Sequence, residues 1–150
     1  MTNIIFIELP IKNKNNYVCQ VAEKIFQEGK RVLIFCDTET EAKNIDNYLW
    51  SWKEESFIPH VFSNDVDSFP DDPVIITNAM PEMKSFHTLI QYNPVSPEYY
   101  KDYNLVVDFA ELYDTIKLQQ SRERYKNLRE TKSFKLEFLK LGTFLHQKIE

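Results

Sequence analysis

Gly29-Lys30-Arg31-Val32-Leu33-Ile34-Phe35-Cys36-Asp37-Thr38-Glu39-Thr40-Glu41 is the stretch whose reading decides the fold. A glycine free to turn the chain leads into an apolar run, Val32 to Cys36, that reads as a strand. Thr38 and Glu41 then stand three residues apart, the spacing at which a hydroxyl and a carboxylate cap a helix start reciprocally. Ala42, Ile45 and Leu49 give that helix an apolar stripe as far as about Trp50. Upstream, Ile4 to Ile7 is a short apolar run ended by Pro10, the pattern of a strand buried on both faces. Val18, Val21, Ala22, Ile25 and Phe26 recur at helical spacing, with Gly29 placed to supply a left-handed cap. Strand, helix, strand, helix requires parallel pairing through right-handed crossovers.

The rest of the chain extends that pattern. Ser63 to Pro73 carries four aspartates and two prolines and reads as a surface loop before the strand Val74 to Thr77. Thr88 to Tyr92 is a further strand, Glu98 to Asp102 a short helix, and Leu105 to Val107 an apolar strand with Asp108 and Phe109 at its end. Asp114 or Thr115 caps a long helix through Arg129. Beyond it Phe134, Phe138, Leu141 and Leu145 keep helical spacing, so residues 131–150 are expected to form a helical tail. The sum is an α/β chain, a three-layer α/β/α sandwich around a mainly parallel, Rossmann-like sheet, expected to be one domain over residues 1–150.

Composition narrows the function. With 43% hydrophobic and 27% charged residues the chain is typical of globular proteins, and its formal charge of −5 argues against strong direct nucleic-acid binding, which needs cations to displace counterions along phosphates. The two cysteines, Cys19 and Cys36, are too few for a disulfide framework and are expected to be reduced thiols. No apolar run approaches a membrane span, and Met1 to Pro10 lacks the pattern of a signal peptide; the expected location is cytoplasmic, without membrane attachment.

Candidate chemistry is sparse. A parallel sheet invites a nucleotide site, but the chain has only two glycines, Gly29 and Gly142, and neither belongs to a phosphate-binding loop. Cys36 and Asp37 stand at the carboxyl end of a strand, where a small nucleotide- or thiol-dependent enzyme would place active groups; no nearby residue is an obvious base for the thiol. His60, His87 and His146 are scattered without ligand spacing, and Asp65, Asp67, Asp71 and Asp72 lack the glycine and glutamate of a calcium loop. No cofactor or metal is expected. Arg122, Lys126 and Arg129 recur at i, i+4 and i+7 and share one helix face, flanked by Leu118 and Tyr125, with Lys117 and Arg124 placed roughly opposite. Such a face is either ordinary solvated charge or a receptor for an acidic peptide, pairing cations with carboxylates beside an apolar contact.

Two word-like segments carry a resemblance. Gly29 to Cys36 continuing to Glu54, Glu55, Ser56, Phe57, Ile58, Pro59, His60, and Ser121, Arg122, Glu123, Arg124, Tyr125, Lys126, occur in the order found in the chi subunit of bacterial DNA polymerase III, which the chain resembles from about Ile4 to Leu128. The resemblance implies a noncatalytic replication adaptor of the clamp-loader assembly with two partners. One is the acidic C-terminal tail of single-stranded DNA-binding protein, which ends in phenylalanine with a free carboxylate. Arg122, Tyr125 and Lys126 match the family's positions for that contact, Leu118 stands where the family has a further basic residue, and Ala110 replaces a valine that lines the pocket. The other is the psi subunit, for which Trp50 and Phe57 match aromatic positions; the same residues could instead complete the core. Chi subunits also serve repair helicases through the surface shared with psi, so a helicase is an alternative partner.

Overall fold

The computed structural model describes residues 1–53, 57–82 and 85–150; Glu54, Glu55 and Ser56 of the family-like segment lie outside the described residues. The chain runs β1 (Asn3–Leu9), α1 (Lys14–Gln27), β2 (Val32–Phe35), α2 (Glu39–Ser51), β3 (His60–Phe62), β4 (Val74–Thr77), β5 (Thr88–Gln91), a 3-10 turn (Pro97–Asp102), β6 (Leu105–Glu111), α3 (Thr115–Thr131), β7 (Lys135–Lys140) and α4 (Leu141–His146). The strands form one sheet in the order β3-β4-β2-β5-β6-β1-β7. Every pairing is parallel. The expected α/β/α architecture is what the chain adopts.

Local signals explain the element ends. Thr38 accepts a hydrogen bond from the Glu41 amide at 3.1 Å and starts α2, while Gly29 ends α1 with φ of 75°, a conformation a Cβ would oppose. Asp114, rather than Thr115, caps α3, accepting from the amides of Ile116 and Lys117 at 3.1 Å each.

Alternation along the strands divides the interior into two layers. Ile5, Ile7, Leu9, Val107 and Phe109 pack with α1, α2 and α4, whereas Ile4, Phe6, Val106 and Tyr100 pack toward α3. Both faces of β6 are covered, and all seven of its residues are buried. Asp108 therefore lies inside the strand, not at its end as its polarity suggests. Its carboxylate is tolerated because Arg124 of α3 reaches it through two bonds, 2.8 and 3.0 Å, and Gln91 of β5 donates a third at 2.8 Å.

The expected helical tail is corrected. Lys135–Lys140 is a strand, paired to β1 from Asn3↔Lys135 to Glu8↔Lys140, and only Leu141–His146 is helical. The apolar spacing from Phe134 to Leu145 suits a helix, but β1 is apolar on both faces and needs a second pairing partner for its backbone; that tertiary demand overrides the local pattern. Strand β3 is also absent from the sequence reading, being three residues long.

A second polar pin joins α1 to the sheet. The Lys14 ammonium donates to Glu111 at 2.8 Å and to the Tyr92 carbonyl at 2.6 Å, and sits 4.3 Å from the Tyr92 ring centre. Burial alone would raise the Glu111 carboxyl, but the Lys14 ammonium, the Tyr113 hydroxyl and Lys117 outweigh it and hold the group below its ordinary range.

Two predictions follow from these pins. Arg124→Ala leaves the Asp108 carboxylate, 3% exposed, buried without its cation, and is expected to cost about 3 to 5 kcal/mol of stability in urea unfolding. Because the folded chain binds the Glu111 proton more weakly than the unfolded chain, its stabilisation is complete above the unfolded pKa of about 4.3 and is lost as pH falls through the lower folded value. Glu111→Gln is expected to be less stable than the parent at neutral pH and to lose less on acidification from about pH 5 to pH 3; parallel acid limbs for the two proteins would refute the assignment.

Candidate functional site

Helix α3 displays its charged residues on two flanks of a buried stripe. Ser121 and Leu128 are buried, and Leu118 and Tyr125 are partly so, which turns these four toward the sheet. On one flank Arg124 dips to Asp108 and is committed to that carboxylate, while Lys117 approaches Glu111 at 3.6 Å and stays exposed to solvent. On the other flank Arg122, Lys126 and Arg129 are exposed, and among the described residues none of the three forms an ion pair.

That free flank borders the β1–β7 side of the sheet. Tyr125 lies edge-on to Phe6 of β1, centroids 5.4 Å apart, and to Phe138 of β7 at 6.2 Å, while Phe138 stacks parallel on Phe6 at 6.4 Å. Phe138 remains 43% exposed. The three cations thus stand beside an aromatic step whose outer ring is open to solvent. Leu118 is half-buried one turn before Arg122. Ala110 is fully buried on the same face of β6; it shapes the ground under α3 from below and offers no surface of its own. Glu8, half-buried, lies between Ala110 and Lys140 in the register. Sequence reasoning left Phe138 out of the candidate site because it placed that residue in a helix.

The second pair of candidates is exposed, not part of the core. Trp50, at the end of α2, is 60% exposed and Phe57, before β3, is 68% exposed. Their ring centres are 6.0 Å apart, and the Trp50 ring lies 4.6 Å from the His60 ring. His60 is itself fixed from both sides, Nδ1 at 2.6 Å from the Ile58 carbonyl and Nε2 at 3.2 Å from that of Asp46. Burial raises the Asp46 carboxyl, and the imidazole partly offsets that rise. A buried polar clamp beneath two solvent-facing aromatics gives a preorganised apolar patch.

Strands β3 and β7 are the two ends of the sheet. Six inter-strand steps separate them, about 29 Å at the usual strand spacing. The cationic flank of α3 and the aromatic patch beside β3 therefore stand on opposite edges.

The groups that an enzyme would use are placed differently. Cys36 is fully buried, and burial, aided by Glu41, pushes its thiol up to about 12; at neutral pH it is protonated and a poor nucleophile. Asp37 is exposed on the rim of a cleft that also contains Lys14, Glu111 and Lys117, charges already matched to one another. His60, His87 and His146 lie apart, each against a different backbone carbonyl. No helix among the described residues is long and apolar enough to cross a membrane.

Comparison with known proteins gives one answer. Residues 1–134 match the family model described as DNA polymerase III chi subunit, HolC, which spans β1 through α3 and stops just before β7. The DNA polymerase III subunit chi of Escherichia coli is 35% identical over 115 residues, covering 75% of this chain and 76% of that protein. That of Haemophilus influenzae is 32% identical over 111 residues, covering 74% and 76%, and that of Pseudomonas aeruginosa is 26% identical over 133 residues, covering 87% and 91%. The chain belongs to the DNA polymerase III chi subunit family, accessory subunits of bacterial DNA replication.

Proposed function

We propose that this chain is a noncatalytic tether in replication, holding the acidic C-terminal tail of single-stranded DNA-binding protein on the α3 flank and the psi subunit on the Trp50–Phe57 patch. The observation that carries the reading is the placement of the two surfaces on opposite edges of one rigid sheet. Two partners bound there do not compete for space, and holding one near the other raises its effective concentration without any chemistry.

Each surface suits its proposed partner. Arg122, Lys126 and Arg129 have no internal carboxylate among the described residues, so their charges are available to an acidic peptide, and guanidinium groups pair well with carboxylates. Leu118, Tyr125 and Phe138 supply apolar contact beside them. At the other edge, paired exposed aromatics on a fixed base are the kind of anchor that dominates protein interfaces.

A peptide copying the tail of the host's single-stranded DNA-binding protein is expected to bind this chain in calorimetry. Arg122→Ala should weaken it tenfold to a hundredfold, about 1.5 to 3 kcal/mol for a charge-assisted bond, and added salt should weaken it further. Equal affinity for parent, Arg122→Ala and Lys126→Ala proteins would remove the site from α3.

Trp50→Ala and Phe57→Ala are each expected to cost at least about 2 kcal/mol of psi binding while leaving tail binding and the melting temperature near the parent's. Normal psi affinity in both variants would eliminate the patch. Capture of a repair helicase instead of psi, lost in the same variants, would reassign its partner.

A further inference from the structure

The outer edge of β7 is an unused pairing surface directly beside the cationic flank of α3. β7 bonds to β1 on one side and, among the described residues, to no strand on the other. The Lys135 amide donates to the Thr2 carbonyl at 3.1 Å, and in a parallel ladder one residue directs both its backbone groups to the same neighbour, alternating along the strand. Lys135, Glu137 and Leu139 therefore face β1, and Leu136, Phe138 and Lys140 present their amides and carbonyls outward. Phe138 is also the residue whose exposed ring completes the aromatic step against Phe6 and Tyr125.

We infer that an acidic peptide binds here as an eighth strand, pairing its backbone with Leu136, Phe138 and Lys140 while its alternate side chains rise along Phe138 to Arg122, Lys126 and Arg129. The inference rests on the proposed reading of the α3 flank and specifies how the tail segment before the terminal phenylalanine is held. Extended strands added to an open sheet edge take affinity from main-chain bonds and specificity from alternate side chains. The dimensions agree: same-face side chains of a strand recur every 6.6 Å or so, and Arg122 to Lys126 is about 6 Å of helix rise, with Arg129 about 4.5 Å further on. Charge selects the occupant. Lys140, on the same face of β7 as Phe138, adds to the three helix cations, against the half-buried Glu8 and the exposed Glu123 and Glu130 of α3, while Lys135 and Glu137 lie on the other face; this cationic side of the edge favours an acidic segment over a second copy of a chain that is itself acidic at −5. Exposed lysines on an edge strand commonly serve only to discourage pairing, and the experiment separates that role from this one.

The probe is a ten-residue peptide copying the C-terminus of the host's single-stranded DNA-binding protein, titrated into the full chain and followed by amide hydrogen exchange. Binding is expected to slow exchange at Leu136, Phe138 and Lys140 at least tenfold. N-methylation of the peptide at one alternating set of amides upstream of the terminal phenylalanine should weaken binding at least tenfold, and methylation of the other set should change it little. Phe138→Ala should weaken binding by about tenfold with Arg122→Ala still harmful. If Arg122→Ala weakens binding but exchange at β7 and both methylated peptides behave as the unmodified pair does, strand addition is overturned and the α3 contact stands. If the peptide does not bind at all, the α3 reading and this inference fall together. The methylated peptides leave the protein untouched, so a folding defect in Phe138→Ala does not blunt the test.

Discussion

The paired bonds from Arg124 to Asp108 are the contact on which the exposed side of the molecule depends. A carboxylate in the middle of a strand covered on both faces is costly unless a cation meets it, and the cation comes from α3. Satisfying Asp108 therefore fixes the rotation of the helix about its axis. With Arg124 committed inward, Arg122, Lys126 and Arg129 are turned toward the β7 edge and Tyr125 onto Phe6. Gln91 and Tyr100 extend the network, the Tyr100 hydroxyl reaching Gln91 at 2.9 Å, so β5, β6, the 3-10 turn and α3 share one set of polar partners. A buried ion pair is a weak source of net stability but a good device for choosing one arrangement among several apolar packings.

Lys14 does the same for the other layer. Its ammonium bonds to Glu111 and Tyr92 and ties the start of α1 to the carboxyl ends of β5 and β6. That end of a parallel sheet is where enzymes of this architecture gather their reactive groups. Here the cleft is lined by charges balanced against one another, and the exposed cations of α3 and the exposed Trp50–Phe57 pair stand at the two lateral edges instead.

Much of this was legible in the sequence, and what was not has physical causes. The strand read from Val32 to Cys36, realised as Val32–Phe35, the Thr38 half of the expected cap, the Gly29 turn and the apolar stripe of α1 are local signals that the structure keeps. The i, i+4, i+7 row on α3 was readable because helical geometry needs no tertiary information. The role of Arg124 was not, since a helical wheel separates flanks but does not reveal that a carboxylate waits inside a neighbouring strand. β7 was misread because Phe134, Phe138, Leu141 and Leu145 fit a helix locally, while the open edge of β1 that recruits Lys135–Lys140 is formed far away in sequence. Phe138 was lost to the site by the same error. The exposure of Trp50 and Phe57 was undecidable from composition, as a core and an interface draw on the same residues.

The position of β1 also governs when the molecule can form. This first strand of the chain is bracketed by the last two of the sheet, Asn3 pairing with both Leu105 and Lys135. As the chain leaves a ribosome, β1 and its apolar residues wait for β6 and β7, which lie far along the chain at Leu105–Glu111 and Lys135–Lys140. β2, β4 and β5, contiguous in the sheet and closer in sequence, can assemble before then. Such long-range closure is intrinsically slow, and during that wait Ile4, Ile5, Phe6 and Ile7 form an uncharged, β-prone run that nascent-chain chaperones are suited to shield.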